Sequence, residues 1–152
     1  MVRVHLPPLL GKLAQLVQST SFTPRGSGVR VPHFPQMNNY IEERPWGKFE
    51  VLVDSDYCKV KRITVKPGGR LSYQYHHKRS EIWTVVQGVD TVILNDNPAM
   101  DYHYGMYVTI PKEIKHRVEN KGDEDLIFIE IQTGTYFGED DIVRIQDDYN
   151  RK

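Results

Sequence analysis

The hydrophobic pattern from Trp46 onward is that of short β-strands. Apolar and polar residues alternate from Lys59 to Lys66 and from Leu126 to Ile131, as in strands whose successive side chains point to opposite faces. Turn-forming residues such as Pro67-Gly68-Gly69 separate segments rich in Val, Ile, Tyr and Phe. The pattern predicts strands at 48–53, 57–66, 70–77, 81–87, 90–94, 106–110, 115–119 and 125–133. Many short strands at regular spacing predict an all-β sandwich or barrel.

The C-terminal tail has a different pattern. The segment from Gly138 to Tyr149 is acidic, and its apolar points are Ile142, Val143 and Ile145. These apolar positions fit either a short helix or an extended strap across the barrel.

The first 36 residues differ from the rest of the chain. They are rich in Ser, Thr, Pro and Gly, and they carry four basic groups and no acidic ones. A transit peptide is one interpretation of such a segment. The hypothesis we favour is a misplaced start codon, because residues 11–35 can be back-translated into a tRNA acceptor stem, D-arm and T-arm in the correct order. Residues 1–36 are therefore predicted to lie outside a single domain at 37–152, and the DNA upstream of Met37 tests this hypothesis.

Composition indicates an ordinary globular protein. The chain is 39% hydrophobic and 26% charged, with a formal net charge of zero, which gives no reason to expect a nucleic-acid or membrane partner. The single cysteine, Cys58, excludes an internal disulfide framework and suits a reducing compartment. A cytoplasmic location is the expectation, since no apolar run is long enough to span a bilayer.

Two separated motifs carry the candidate chemistry. In the first, Gly68 is followed at fixed spacing by Gln74, His76, Glu81 and Gly88. The second motif contains four positions and one departure, with Glu113 where glycine is usual: Gly105, Pro111, His116 and Asn120. Together these motifs resemble the two motifs of the cupins, which implies a double-stranded β-helix, or jelly-roll, barrel.

The cupin resemblance implies a metal site formed by Gln74, His76, Glu81 and His116. Gln74 and His76 lie two residues apart on one predicted strand, so they share a face. Two imidazoles, a carboxylate and an amide oxygen suit a divalent ion, with Zn²⁺ first and Co²⁺, Mn²⁺ or Fe²⁺ as alternatives. If a bulge shifted the strand register, Tyr75 and His77 would take the inward positions instead.

Longer stretches resemble one group of cupins more closely. The matching stretches are 44–47, 59–88, 110–120 and 129–151, the last of which contains the sequence EDDIVR. They are similar to the C-terminal isomerase domain of bifunctional mannose-6-phosphate isomerase/mannose-1-phosphate guanylyltransferases. Lys78 and Ile82 depart from the family, which commonly has His at both positions. Guanylyl transfer is not expected, because a Gly-rich pyrophosphorylase loop is absent from the sequence.

This resemblance implies metal-dependent interconversion of mannose 6-phosphate and fructose 6-phosphate. Arg79 falls on the family's motif arginine and is a candidate catalytic residue, and Glu130 is the candidate general base. Candidate substrate-binding residues are mostly cations that could hold the phosphate: Arg44, Lys61, His77 and Arg144.

Two other functions fit the same residues. One is a non-catalytic cupin that binds a sugar phosphate, and the other is a different sugar-modifying cupin enzyme, such as an epimerase. A dioxygenase would favour an apolar pocket, whereas Arg79 and Lys61 indicate an anionic ligand. A homodimer is also expected, because cupin barrels leave edge strands that can pair between subunits.

Overall fold

The computed structural model describes residues 40–151, which form eleven strands and one short 3₁₀ helix. The elements in chain order are β1 (Tyr40–Arg44), β2 (Gly47–Asp54), β3 (Cys58–Val65), β4 (Tyr73–His76), β5 (Arg79–Gln87), β6 (Asp90–Leu94), β7 (Met100–Tyr102), β8 (Tyr107–Ile110), β9 (His116–Glu119), β10 (Leu126–Gly134), the 3₁₀ helix (Glu139–Asp141) and β11 (Ile142–Gln146). The predicted segment 1–36 lies outside the described residues.

The strands form two antiparallel sheets. The six-stranded sheet has the order β1-β2-β3-β10-β5-β8, and the five-stranded sheet has the order β11-β4-β9-β6-β7. Strands that are distant in the sequence are neighbours in both sheets, as a jelly roll requires. The prediction of an all-β cupin barrel is therefore confirmed.

Three neighbouring strands of the six-stranded sheet place apolar side chains at one end of the barrel and polar ones at the other. On β10, Phe128 lies opposite Ile63 of β3 and Val85 of β5, and all three are buried. Further along the same inward faces the buried residues are polar: Lys61 on β3, Arg79 and Glu81 on β5, and Glu130 and Gln132 on β10. The alternation of each strand thus builds a hydrophobic core and a polar site within one barrel.

Side chains from both sheets form one hydrophobic core. Its buried members include Trp83, Phe128, Val92 and Val118, of which the last two belong to the five-stranded sheet. Trp83 and Phe128 lie at the centre, with ring centroids 5.1 Å apart. This core fixes the strands that carry the polar site.

Three strands lie outside the predicted segments. Strands β1 and β7 are short edge strands whose residues are mostly exposed, so a burial pattern is weak in their sequences. The third, β11, belongs to the C-terminal tail, which adopts a 3₁₀ turn followed by a strand paired with β4. Of the two predictions for the tail, a short helix or an extended strap, the extended strap is closer to the structure.

Asp90 is a buried carboxyl group that makes the stability of the barrel depend on pH. It is fully buried, and neither carboxylate oxygen has a hydrogen-bond partner among residues 40–151. Burial raises the pKa of Asp90 to about 7. Because the folded pKa lies above the unfolded value, the folded protein holds an extra proton between about pH 4 and pH 7, and stability falls as pH rises through that window.

Replacing Asp90 with asparagine is expected to stabilise the protein at high pH. One pKa unit corresponds to about 1.4 kcal/mol, so the ionisation costs a few kcal/mol of unfolding free energy. Urea denaturation should find Asp90→Asn more stable than wild type at about pH 8, with a smaller difference at about pH 5. Asp125→Asn, on an exposed residue, should show no such difference. A less stable Asp90→Asn at the higher pH would contradict this account.

Two expectations concern the surroundings of the protein. Within residues 40–151 the structure contains no helix with the length and apolar character that a transmembrane segment needs. The homodimer stays a prediction; β1 and β8 are the edges of the six-stranded sheet.

Candidate metal and sugar-phosphate site

Three buried side chains from three strands converge at the polar end of the barrel. His76 Nε2 on β4 lies 3.1 Å from Glu81 Oε1 on β5, and His116 Nε2 on β9 lies 3.7 Å from Glu81 Oε2. The candidate ligand atoms all lie within 4.8 Å of one another. Such spacing suits ligands that each lie about 2 Å from one divalent ion. The structure therefore brings three of the four predicted ligands into a cluster that could bind a metal.

The hydrogen bonds of His116 prepare one ring nitrogen for metal binding. Its Nδ1 lies 2.8 Å from the backbone oxygen of Ile114 and donates to it, which leaves the lone pair on Nε2. That buried Nε2 has no hydrogen-bond partner among the described residues. Burial lowers the pKa of His116 to about 4, so the imidazole is neutral at pH 7 and can act as a ligand.

Gln74, the fourth predicted ligand, lies beside this cluster. It is opposite His116 in the pairing of β4 with β9, and it lines the cavity at the site. Its Oε1 accepts a hydrogen bond of 2.5 Å from Ser72 Oγ, which fixes the amide. Coordination by Gln74 stays a prediction.

The alternative register through Tyr75 and His77 is not the one in the structure. His76 is 2% exposed, whereas the His77 side chain is 52% exposed and its Nδ1 lies 2.8 Å from Glu113 Oε1. His77 stacks edge-on against Tyr75 and does not line the cavity. His77 was expected to bind substrate, and the structure does not bring it together with the other site residues.

Two neutral donors join the carboxylates Glu81 and Glu130. Trp83 Nε1 lies 3.1 Å from Glu81 Oε2 and 3.2 Å from Glu130 Oε1. Gln132 Nε2 lies 3.3 Å from Glu81 Oε1 and 2.9 Å from Glu130 Oε2. The two carboxyl groups therefore form one buried network whose hydrogen bonds hold both in place.

The pKa values of these two carboxyl groups move in opposite directions. Burial alone would raise the pKa of Glu81, but the hydrogen bond with His76 and the charge of the adjacent Arg79 guanidinium hold it well below its usual value. Burial and the nearby charge of Glu81 raise the pKa of Glu130 to about 8. Glu81 is thus an ionised candidate ligand, while Glu130 holds a proton at neutral pH, so it would have to lose that proton before it could act as the general base expected from the sequence.

Arg79 binds other protein groups of the site. It is 2% exposed, its Nε donates to Glu81 Oε1 at 3.0 Å, and one terminal nitrogen donates to the backbone oxygen of Gly138 at 2.9 Å. The sequence predicted that Arg79 is a catalytic residue beside an anionic ligand. In the structure it orients Glu81 and fixes the C-terminal segment, although it also lines the cavity.

A cavity next to the cluster carries more cations than anions. Its basic lining residues are Arg44, Lys61, Arg79, Arg144 and Arg151. Its acidic lining residues are Glu81, Glu130 and Glu139. The cavity is therefore lined by three of the four predicted substrate-binding residues, which are Arg44, Lys61 and Arg144.

Sequence reasoning missed Gln132, Glu139 and Arg151. Gln132 follows Glu130 by two residues on one strand, so strand alternation could have placed both on the same face. Glu139 lies in a 3₁₀ turn and Arg151 follows the last strand, so no period in the sequence indicates where their side chains point.

Solved structures support the barrel. The capsular polysaccharide assembling protein CapF from Staphylococcus aureus matches with a TM-score of 0.61 and 24% identity, covering 72% of this chain and 34% of CapF. At that level of identity the likeness concerns the fold alone.

Curated relatives share closer sequence similarity. A protein named mannose-1-phosphate guanylyltransferase from Klebsiella pneumoniae is 44% identical over 108 residues. The xanthan biosynthesis protein XanB from Xanthomonas campestris pv. campestris (strain B100) is also 44% identical over 108 residues. Each alignment covers 71% of this chain and 23% of the relative, so the chain spans less than a quarter of the length of these relatives.

The names of these relatives contradict the specific activity predicted from the sequence. They name guanylyl transfer and polysaccharide biosynthesis, so the prediction that this chain interconverts mannose 6-phosphate and fructose 6-phosphate is wrong. The coarser prediction, a domain of an enzyme family of mannose-phosphate metabolism, holds, because the Klebsiella relative is named for a mannose phosphate. A family profile described as "Mannose-6-phosphate isomerase C-terminal" matches residues 36–147, and the chain therefore belongs to this family of cupin domains.

Proposed function

We propose that this domain binds a phosphorylated mannose through a divalent metal centre. One residue supports this proposal by linking the metal cluster to the cavity: Glu81 belongs to the His-Glu-His cluster and also lines the cation-rich cavity. A ligand in the cavity would thus be next to both a metal ion and several positive charges. The name of the Klebsiella relative supports mannose as the sugar.

The proposed ligands are His76, Glu81 and His116, with Gln74 as the fourth. Zn²⁺ is the first choice for this mixed nitrogen and oxygen set, and Co²⁺, Mn²⁺ and Fe²⁺ are the alternatives. The bound ion would supply Lewis acidity toward an oxygen atom of the sugar. Glu130 would hold a proton near the sugar, and Arg79 would keep Glu81 oriented.

The phosphate would lie against arginine side chains of the cavity. Guanidinium groups form paired hydrogen bonds with phosphate oxygens. These hydrogen bonds are stronger inside a partly closed cavity than in open water. Glu42 and Asp147, the acidic partners of Arg44 and Arg151, do not line the cavity. The carboxylates that partly neutralise these two guanidinium groups therefore lie outside the lining of the cavity.

Calorimetric titration of the full chain tests the proposal. The protein is stripped of metal, reloaded with one ion at a time, and titrated with mannose 1-phosphate, mannose 6-phosphate or unphosphorylated mannose. We expect a mannose phosphate to bind the metal-loaded protein, and to bind it more tightly than mannose does.

Two variants separate a specific site from general charge attraction. Arg144→Gln, in the cavity, should weaken binding of the mannose phosphate about tenfold or more, the effect expected for loss of a charged hydrogen bond. Arg62→Gln changes an arginine whose side chain is 52% exposed and outside the cavity, and it should leave binding unchanged. If the metal-loaded protein binds neither mannose phosphate, the proposed function is wrong.

A further inference from the structure

The segment Gly138–Arg144, which contains the sequence EDDIVR, forms one wall of the cavity. Ile142 pairs with His76, and Arg144 pairs with Gln74, in the register of β11 with β4. Arg79 donates to the backbone oxygen of Gly138. The segment is thus fixed directly against the strand that carries two of the proposed metal ligands.

The Glu139 side chain in this segment is held by a buried lysine. Lys61 is 5% exposed, and its Nζ donates to Glu139 Oε1 at 2.8 Å. The same Nζ lies 4.0 Å from Glu130 Oε2. The positive charge of Lys61 is therefore balanced inside the protein, and a phosphate group here would be repelled by the Glu139 carboxylate.

A second observation marks this end of the cavity as a site for hydroxyl groups. Gln132 is 1% exposed, and its Oε1 is a buried acceptor with no hydrogen-bond partner among residues 40–151. Its Nε2 donates to Glu130 Oε2, the oxygen that faces Lys61. A buried acceptor without a partner is costly, and a ligand hydroxyl would satisfy it.

Three arginines add positive charge to the same cavity. Arg44, Arg144 and Arg151 all line the cavity. Burial and the charge of Arg151 lower the pKa of Arg144, the charges of Glu139 and Asp147 oppose this shift, and Arg44 adds to it. An anionic group placed among them would relieve this repulsion.

We propose that Glu139, fixed by Lys61, recognises hydroxyl groups of the sugar, while the arginines that line the cavity hold the phosphate. An ionised carboxylate accepts hydrogen bonds from neutral hydroxyl groups and disfavours a second anion. Glu139 is then a residue that determines ligand orientation and specificity. The inference rests on the proposed sugar-phosphate function, and it moves Lys61 from phosphate binding to the positioning of Glu139.

Binding measured for two ligands tests this assignment on the metal-loaded full chain. Glu139→Gln should weaken binding of the mannose phosphates about tenfold, while binding of inorganic phosphate stays the same or becomes tighter. Asp140→Asn is the matched control, because Asp140 is the next residue, is exposed and binds Tyr136 instead. This control should change neither affinity.

The outcomes separate this inference from the proposed function. Equal weakening of mannose phosphates and inorganic phosphate by Glu139→Gln would overturn the inference, as would tighter binding of the mannose phosphates, which would make Glu139 a competitor for Lys61. Unchanged binding in Glu139→Gln would also overturn it and leave the proposed function intact. Failure of the wild-type protein to bind any mannose phosphate would remove both.

Discussion

Replacing His116 with alanine is expected to abolish metal retention while the barrel stays folded. His116 supplies a buried nitrogen with no hydrogen-bond partner among the described residues, and its removal leaves one imidazole beside Glu81. Loss of residues that only orient metal ligands lowers affinity by about 10–100-fold, so loss of a ligand should cost on the order of 100-fold or more. Equilibrium dialysis with elemental analysis measures this directly.

His77→Ala is the matched control for this prediction. His77 is adjacent to His76 in sequence, but its side chain is half-exposed and bound to Glu113. It should retain metal with wild-type stoichiometry. Stoichiometric metal in His116→Ala, or metal loss in His77→Ala, would contradict the proposed ligand set.

The three-residue cluster could be predicted because strand geometry is local and periodic. Residues 74 and 76 share a face whatever the rest of the fold, and a hairpin returns Glu81 to the same point. His116 came from the second motif, whose spacing only has meaning within a cupin barrel. The resemblance supplied that long-range information, and alternation supplied the faces.

The partners of the charged residues could not be predicted in the same way. A sequence shows that Lys61 and Arg79 are cations, but their roles depend on which groups lie nearby. Lys61 faces Glu130 across β3 and β10 and meets Glu139 from a turn 78 residues further along the chain. Such a contact depends on tertiary packing, and no spacing rule contains it.

The contact between Arg79 and Glu81, in contrast, could be predicted from the local sequence. Arg79 and Glu81 are two residues apart on β5, so they share the inward face. A buried arginine beside a buried glutamate is expected to pair with it, since an unpaired charge in the interior is very costly. Strand alternation therefore could have assigned Arg79 to Glu81 before its distance was known.

The core at the opposite end of the barrel gives the largest expected effect on stability. Phe128 is fully buried, and its ring lies 5.1 Å from that of Trp83. Truncation of a buried Phe to alanine costs about 3–5 kcal/mol, because apolar contacts are lost and a cavity remains. Domains have only about 5–15 kcal/mol of stability, so Phe128→Ala should lower the urea midpoint strongly.

Phe128→Ala should also weaken metal binding at the polar site, because Trp83 contacts both the hydrophobic core and the site. Trp83 packs against Phe128 and donates to both Glu81 and Glu130. With the Phe128 ring removed, Trp83 can shift, and metal affinity should fall in the folded variant, though less than in His116→Ala.

Tyr107→Ala is the control for the stability prediction. It changes a residue that is 67% exposed, and it should change the unfolding free energy by less than about 0.5 kcal/mol. A loss below about 1 kcal/mol in Phe128→Ala would show that this ring does not stabilise the core as its burial indicates.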